Sequence, residues 1–214
     1  MFSWPFSLFN NVKKLSEKKS IFSKFKFFFI TFLLTFFCSP EYLKSDETSE
    51  VLMEAVETCN SCHGIEMLLD NPEVPVITGQ SLQYIYRQLK DYKSKAREHE
   101  IMSEMVSDLE KKLLLNLATY FSEQKWKDFR SDSEANEKLA EDMIASGQCS
   151  QCHGTFKENN LAAPRLGGQK ESYLIATMTA FKKRTRKNAP DKSSLFETMS
   201  DEAIKALANY IANK

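Results

Sequence analysis

The sequence has no net charge, because its 29 Lys and Arg residues balance its 29 Asp and Glu residues. Without its basic N-terminus it is mildly acidic, so nucleic acid, whose phosphates require a basic surface, is not an expected partner. The most apolar uncharged segment, Phe27–Cys38, is short for a membrane span. No stretch alternates polar and apolar residues with period two, which argues against β-strands as the main element.

The N-terminal region has the pattern of an export signal. Six lysines precede the apolar segment Phe27–Cys38, as in the charged and apolar parts of a signal peptide. No small-x-small cleavage site follows Cys38, which keeps an uncleaved anchor open as an alternative. We therefore predict that residues 1–45 are a signal peptide or an N-terminal anchor, and that the protein is periplasmic, either soluble or anchored to the membrane by this segment.

Histidine is scarce, and two of the three histidines directly follow a Cys-x-x-Cys pair. Each motif supplies two thiols and one imidazole: Cys59, Cys62 and His63 in the first, Cys149, Cys152 and His153 in the second. Sulfur atoms at positions i and i+3 of a helical turn can form thioethers with the two vinyl groups of a haem, and the next imidazole can bind its iron. We predict two covalently bound haem c groups, with zinc or disulfide chemistry as the alternatives.

The two motifs belong to a longer duplication. The segment Pro75–Tyr92 matches Pro164–Phe181, and Leu109–Phe121 matches Met199–Ile211. In both copies apolar residues recur every three or four positions, which predicts helices. We therefore predict an all-α protein with domains at residues 46–130 and 131–214. Each copy is small and has a thin core, which a bound haem would complete.

With these motifs the chain resembles the dihaem class I cytochromes c of the cytochrome c4 type, which are related to the cytochrome subunit of flavocytochrome c. Both copies contain Cys-x-x-Cys-His-Gly, a Pro-x-x-x-Gly-Gln-x-x-x-Tyr segment and a last helix with Leu-Ala-x-Tyr. The resemblance implies two tandem class I cytochrome c domains, each wrapped around a covalent haem. It also implies that carbonyls near Pro75 and Pro164 accept the other imidazole proton of His63 and His153.

The resemblance further implies that a methionine from the loop before the last helix binds the distal side of the first iron. Met102 stands at that place in the first copy. A thioether is a soft, neutral ligand that favours ferrous iron and gives a raised potential. Met105 and His99 are the rival candidates in the same loop.

The second copy has no methionine at the equivalent position. Counting from the haem histidines places Lys192 opposite Met102, whereas counting from the Tyr-containing helix places Asp191 there. A neutral lysine amine would be a strong ligand that favours ferric iron. Two other outcomes stay open: an open or water-bound iron, or ligation by Met199 or another residue.

These features predict an exported dihaem c-type cytochrome that transfers single electrons between a donor and an acceptor protein, and is not itself an enzyme. The alternatives are a cytochrome subunit of a dehydrogenase complex, such as a flavocytochrome, and a haem sensor or enzyme that uses an open second haem. A flavoprotein and a membrane oxidase are candidate partners. The basic run Lys182–Lys187 is a candidate docking site for an acidic partner, or else a solvated loop.

Overall fold

The computed structural model describes residues 40–131, 133–134, 136–158 and 163–214, with only the backbone described for residues 40–48. The described residues form helices and no strands, which confirms the all-α prediction. The helices are α1 Pro40–His63, α2 Ile65–Asp70, α3 Leu82–Lys93, α4 Glu100–Met105, α5 Lys111–Glu123, α6 Glu137–Ser146, α7 Ser150–His153, α8 Glu171–Lys182, α9 Pro190–Glu197 and α10 Asp201–Ala212.

The chain divides into two compact units, residues 1–51 and residues 52–214. Of the first unit, the structure describes only residues 40–51, which are part of α1. Most of the predicted signal peptide or anchor, residues 1–45, therefore lies outside the described residues. Within the described part of the chain, no helix is both long enough and apolar enough to span a membrane.

The first repeat, which we predict to be a domain of residues 46–130, is built on the packing of α3 against α5. The apolar stripes predicted for these helices are the ones that meet: Ile85 from α3 and Leu117 and Phe121 from α5 are buried in one cluster. Full burial of one such side chain contributes about 1.5–3 kcal/mol. The hydroxyl of Ser81 begins α3 by accepting a hydrogen bond from the backbone N–H of Tyr84 at 3.4 Å.

The second repeat, which we predict to be a domain of residues 131–214, places its helices in the same order. Helix α10 packs against α6 and α8, and α9 packs against α8. Its core contains the apolar residues that recur at helical spacing in α8 and α10, namely Leu174, Met178, Phe181, Ile204, Leu207, Ala208 and Ile211. One local difference concerns the haem motif. In the first repeat the motif ends the continuous 24-residue helix α1. In the second, α6 ends at Ser146 and the motif lies on the separate short helix α7.

A tight turn precedes α3 in the first repeat and α8 in the second. Gly79 and Gly168 occupy the turns with φ values of +69° and +74°, in the region that favours glycine. The N–H of Gly79 donates to the carbonyl of Phe121 at 2.7 Å, and that of Gly168 donates to Ala212 at 3.2 Å. Each turn is thereby attached to the end of the last helix of its own repeat.

Candidate functional site

The first Cys-x-x-Cys-His motif forms the last turn of α1. Cys59 is half-buried and Cys62 is exposed. Burial raises the pKa of the Cys59 thiol to about 11, which keeps this group protonated at neutral pH. A thioether forms by net addition of a thiol S–H across a vinyl double bond, and the two thiols lie at positions i and i+3 of the same helix. The pair therefore fits covalent attachment of a haem.

Both motif histidines are oriented by a backbone carbonyl. Nδ1 of His63 lies 3.0 Å from the carbonyl oxygen of Pro75, and Nδ1 of His153 lies 3.1 Å from that of Pro164. Because a carbonyl can only accept a hydrogen bond, Nδ1 carries the proton and Nε2 keeps its lone pair. Burial lowers the pKa of both imidazoles, which favours the neutral form that binds iron. The prediction for these two proline carbonyls is confirmed.

Lys192, on α9, lies close to the second haem motif. It is half-buried. Burial lowers the pKa of His153, and the ammonium group of Lys192 lowers it further. Burial also raises the pKa of the Cys149 thiol, and here Lys192 opposes the effect of burial. The lysine side chain is thus near enough to act on two residues of the motif, whereas Asp191 beside it is exposed.

The candidates for the distal side of the first haem differ in their surroundings. Met102, on α4, is half-buried and packs against the cluster formed by Tyr92, Val106 and Leu114. Met105 is 44% exposed. Nδ1 of His99 accepts a hydrogen bond from the backbone N–H of Met102 at 3.3 Å, so this ring caps the start of α4. His99 therefore has a structural role that holds Met102 in place.

Met199 is the remaining candidate for the second haem, and its environment is that of a core residue. It is 8% exposed and belongs to the same buried cluster as Phe196 and Ile204. Moving it to an iron would remove an apolar side chain from that core, at a cost of the order of 2–5 kcal/mol for a cavity of this kind. The surroundings of Met199 therefore favour Lys192 over Met199 as the distal ligand of the second haem.

The basic run Lys182–Lys187 makes contacts within the chain. Lys182 pairs with Asp201 at 2.8 Å and Arg184 with Glu197 at 2.7 Å. Arg186 is buried and donates to two groups of the first repeat, the hydroxyl of Tyr84 at 3.3 Å and Oε1 of Gln88 at 3.0 Å. Arg186 therefore joins the two repeats, whereas the ion pairs of Lys182 and Arg184 lie within the second repeat and the other residues of the run are exposed.

Arg97 makes the equivalent contact from the first repeat to the second, which we did not predict from the sequence. It occupies the position in the first repeat that Arg186 occupies in the second, and it donates to the hydroxyl of Tyr173 at 3.4 Å. Tyr84 and Tyr173 are the equivalent tyrosines of the Gly-Gln-x-x-x-Tyr segments, so each arginine binds the tyrosine of the other repeat. Burial opposes ionisation of Tyr173, but the two guanidinium groups outweigh burial and lower its pKa to about 8. The sequence offered one signal of these contacts, because Arg97 and Arg186, like Tyr84 and Tyr173, occupy equivalent positions of the two repeats.

Comparison with known proteins decides the family. A family model described as cytochrome c oxidase, cbb3-type, subunit III, matches residues 135–211. Cytochrome c4 of Pseudomonas aeruginosa is 30% identical over 167 residues, which cover 72% of this chain and 82% of that protein. The chain belongs to the cytochrome c4 family.

One solved structure and one further relative are also similar to this chain. The crystal structure of reduced recombinant cytochrome c4 from Pseudomonas stutzeri superimposes with a TM-score of 0.65 at 28% identity, covering 77% of this chain and 97% of that one. The thiosulfate dehydrogenase electron acceptor of Stutzerimonas stutzeri is 30% identical over 172 residues, covering 74% of this chain and 80% of that protein.

Membership of the cytochrome c4 family establishes the predicted function class. The protein is a dihaem c-type cytochrome of all-α class I fold, with two covalently bound haem c groups, and it carries electrons between redox partners. Its own residues fit these groups, because each repeat presents a paired thiol motif and an imidazole, buried in His63 and half-buried in His153, whose Nδ1 is held by a backbone carbonyl.

Proposed function

We propose that this member of the cytochrome c4 family is a periplasmic carrier with two unlike centres, in which electrons enter at the second domain, 131–214, and leave from the first, 46–130. The haem groups supply a one-electron couple: a donor protein loses one electron as a ferric centre becomes ferrous, and an acceptor gains it when that centre becomes ferric again. The protein residues decide which centre holds the electron more tightly.

The first domain contributes a ligand set that favours ferrous iron. Cys59 and Cys62 attach the haem, His63 binds its proximal side, and Met102 is the distal ligand. Met102 is supported by its half-buried position and by the helix cap that His99 gives it. Met105, the rival methionine, is 44% exposed. A thioether has little affinity for ferric iron compared with an amine, so this centre should have the higher potential.

The second domain contributes a ligand set that favours ferric iron. Cys149 and Cys152 attach the haem, His153 binds the proximal side, and Lys192 binds the distal side as a neutral amine. The observation that carries this proposal is the position of Lys192, which corresponds to Met102 in the duplication and is half-buried on α9. Leu195, one turn later on α9, packs against the same cluster as Cys149, and the charge of Lys192 acts on both Cys149 and His153. A lysine this close to a haem motif can bind a metal ion, because the metal competes with a proton for the nitrogen lone pair.

For the partners, we propose a dehydrogenase as donor and a membrane oxidase as acceptor. The relative from Stutzerimonas stutzeri is named as the electron acceptor of thiosulfate dehydrogenase, which supports a dehydrogenase as the donor. The match of the second domain to the family model of an oxidase subunit supports an oxidase on the acceptor side. A flavoprotein dehydrogenase that keeps this chain as a permanent subunit is the second candidate, and co-purification from the native periplasm separates the two.

The test is a potentiometric titration of the holoprotein and of Lys192→Met. We expect two one-electron steps in the wild type, with the lower potential at the second domain, and we expect Lys192→Met to raise that step towards the first. Lys205→Met, which replaces an exposed lysine of α10, is the matched control and should leave both steps unchanged. A second-domain potential equal to or above the first, or no response to Lys192→Met, would contradict the proposal.

A further inference from the structure

The hydrogen bond that orients the first haem histidine continues into the second repeat. The carbonyl of Pro75, which accepts from His63, and the N–H of Val76 belong to one planar peptide unit. That N–H donates to Oε1 of Gln169 at 2.9 Å. A chain of hydrogen bonds therefore leads from His63, through a single peptide unit, to a glutamine of the other repeat.

The second haem histidine is connected to the first repeat in the same way. The carbonyl of Pro164 accepts from His153, and the N–H of the same peptide unit, which belongs to Arg165, donates to Oε1 of Gln80 at 2.8 Å. Gln80 and Gln169 are the equivalent glutamines of the two Gly-Gln-x-x-x-Tyr segments. Each proximal histidine is thus linked to the glutamine of the opposite repeat.

Both glutamine amides are held in one orientation. Nε2 of Gln169 donates to the carbonyl of Val76 at 3.0 Å, and Nε2 of Gln80 donates to the carbonyl of Arg165 at 2.9 Å. Each Oε1 also accepts the N–H of the residue that follows its own glutamine, at 2.9 Å in both cases. The two residues are only 4% and 3% exposed. A buried amide with three hydrogen bonds has no competing water partner and no equally good flipped orientation.

We propose that Gln80 and Gln169 are positioning residues that act across the repeats, each tuning the proximal histidine of the haem in the other repeat. When Oε1 accepts from the peptide N–H, the peptide carbonyl becomes a stronger acceptor for the imidazole proton, because hydrogen bonds in a chain polarise one another. A stronger bond at Nδ1 makes the imidazole a better electron donor to iron and favours the ferric state. The inference depends on haem attachment, and on neither the distal ligands nor the direction of electron flow proposed above.

The experiment is a redox titration of the dihaem holoprotein that is monitored by NMR. The haem resonances are assigned to each repeat through their contacts with neighbouring side chains. This assignment does not use the distal ligands. The variants are Gln169→Met and Gln80→Met, which keep the length of the side chain and remove the amide. Gln169→Glu keeps an oxygen acceptor for Val76 and adds charge. Gln83→Met, at an exposed position of α3, is the matched control.

We expect each substitution to change the potential of the haem in the opposite repeat. Gln169→Met raises the potential of the first haem, Gln80→Met raises that of the second, and in each variant the haem of the altered repeat keeps its potential. The Nδ1 proton resonance of the opposite histidine shifts towards that of a weaker hydrogen bond. Gln169→Glu lowers the potential of the first haem, since a carboxylate accepts more strongly than an amide.

Three results would overturn the proposal. The first is a potential change at the haem of the altered repeat alone. The second is an absence of change at the opposite haem and at its Nδ1 proton. The third is a shift of the first-haem potential in the same direction for Gln169→Met and Gln169→Glu, which would indicate that the glutamine only maintains packing between the repeats.

Discussion

The ammonium group of Lys170, in the second repeat, donates a hydrogen bond to the backbone carbonyl of Leu68, in the first, at 2.5 Å. It also donates to the carbonyl of Asn71, so it binds the end of the helix that follows the first haem motif. Lys170 is 7% exposed, and its charge contributes to the lowered pKa of His63. The equivalent residue of the first repeat is Ser81, which carries no charge. The second repeat therefore supplies the first haem site with a buried cation, whereas the equivalent position of the first repeat supplies no charge.

Replacing Lys170 with Met should lower the potential of the first haem and leave that of the second unchanged. A nearby buried cation disfavours the ferric state, so its removal favours that state. The measurement is a potentiometric titration resolved by repeat. Lys170→Arg retains the charge and should keep the potential near that of the wild type. Equal effects of the Met and Arg variants would show that packing, and not charge, is responsible.

Replacing Met102 with Ala should leave both haems attached and abolish the methionine-to-iron charge-transfer band. The first iron would lose its distal ligand, so its potential should fall and it should bind carbon monoxide when reduced. Met105→Ala, three residues away on the same helix, is the matched control and should retain the band. The opposite pattern, with the band lost only in Met105→Ala, would make Met105 the ligand.

Replacing both Cys149 and Cys152 with Ser should reduce the covalent haem content from two to one per chain. Each pair of thiols attaches one haem, and the first motif is unchanged in this variant. The measurement is the haem-to-protein ratio after extraction with acidified acetone, which removes haem that is not covalently bound. A wild-type ratio near one, or a variant ratio near two, would contradict the assignment of one haem to each motif.

Replacing Gly168 with Ala should destabilise the protein by more than about 1 kcal/mol. The residue has a φ of +74°, and an added Cβ would lie 2.1 Å from Oδ1 of Asp128. The measurement is the free energy of unfolding from denaturant titration. Ser194→Ala, at an exposed position of α9, should change it by less than about 0.5 kcal/mol. A similarly small change for Gly168→Ala would mean that the turn tolerates a side chain.

The haem motifs and the helices were predictable from sequence because both depend on local spacing. Cys59 and Cys62 fix the attachment chemistry by their separation, and the stripe through Ile85 and Tyr92 predicts α3 with its buried face. The partners of His63 and His153 were predicted through the family resemblance. For the motifs and the helices, a short segment of chain contains all the information that the prediction needs.

The contacts across the repeats were not predictable, because they depend on how two copies of the fold are placed together. The matched glutamines were visible in the sequence as part of a shared segment, but nothing local indicates that Gln169 binds Val76. The same holds for Lys170, since a lysine at the start of a helix is ordinarily solvated. The duplication showed which positions correspond, and the structure added that several of them bind across the interface.

The proposed function depends on unlike distal ligands for the two haems, Met102 in the first domain and Lys192 in the second. It is tested most directly by the optical and electron paramagnetic resonance spectra of the oxidised holoprotein. We expect two low-spin ferric signals. One is accompanied by the methionine-to-iron charge-transfer band and is lost in Met102→Ala, and the other is typical of two nitrogen ligands and is lost in Lys192→Ala. Two His/Met signals, or a second haem that stays high-spin at every pH, would contradict it.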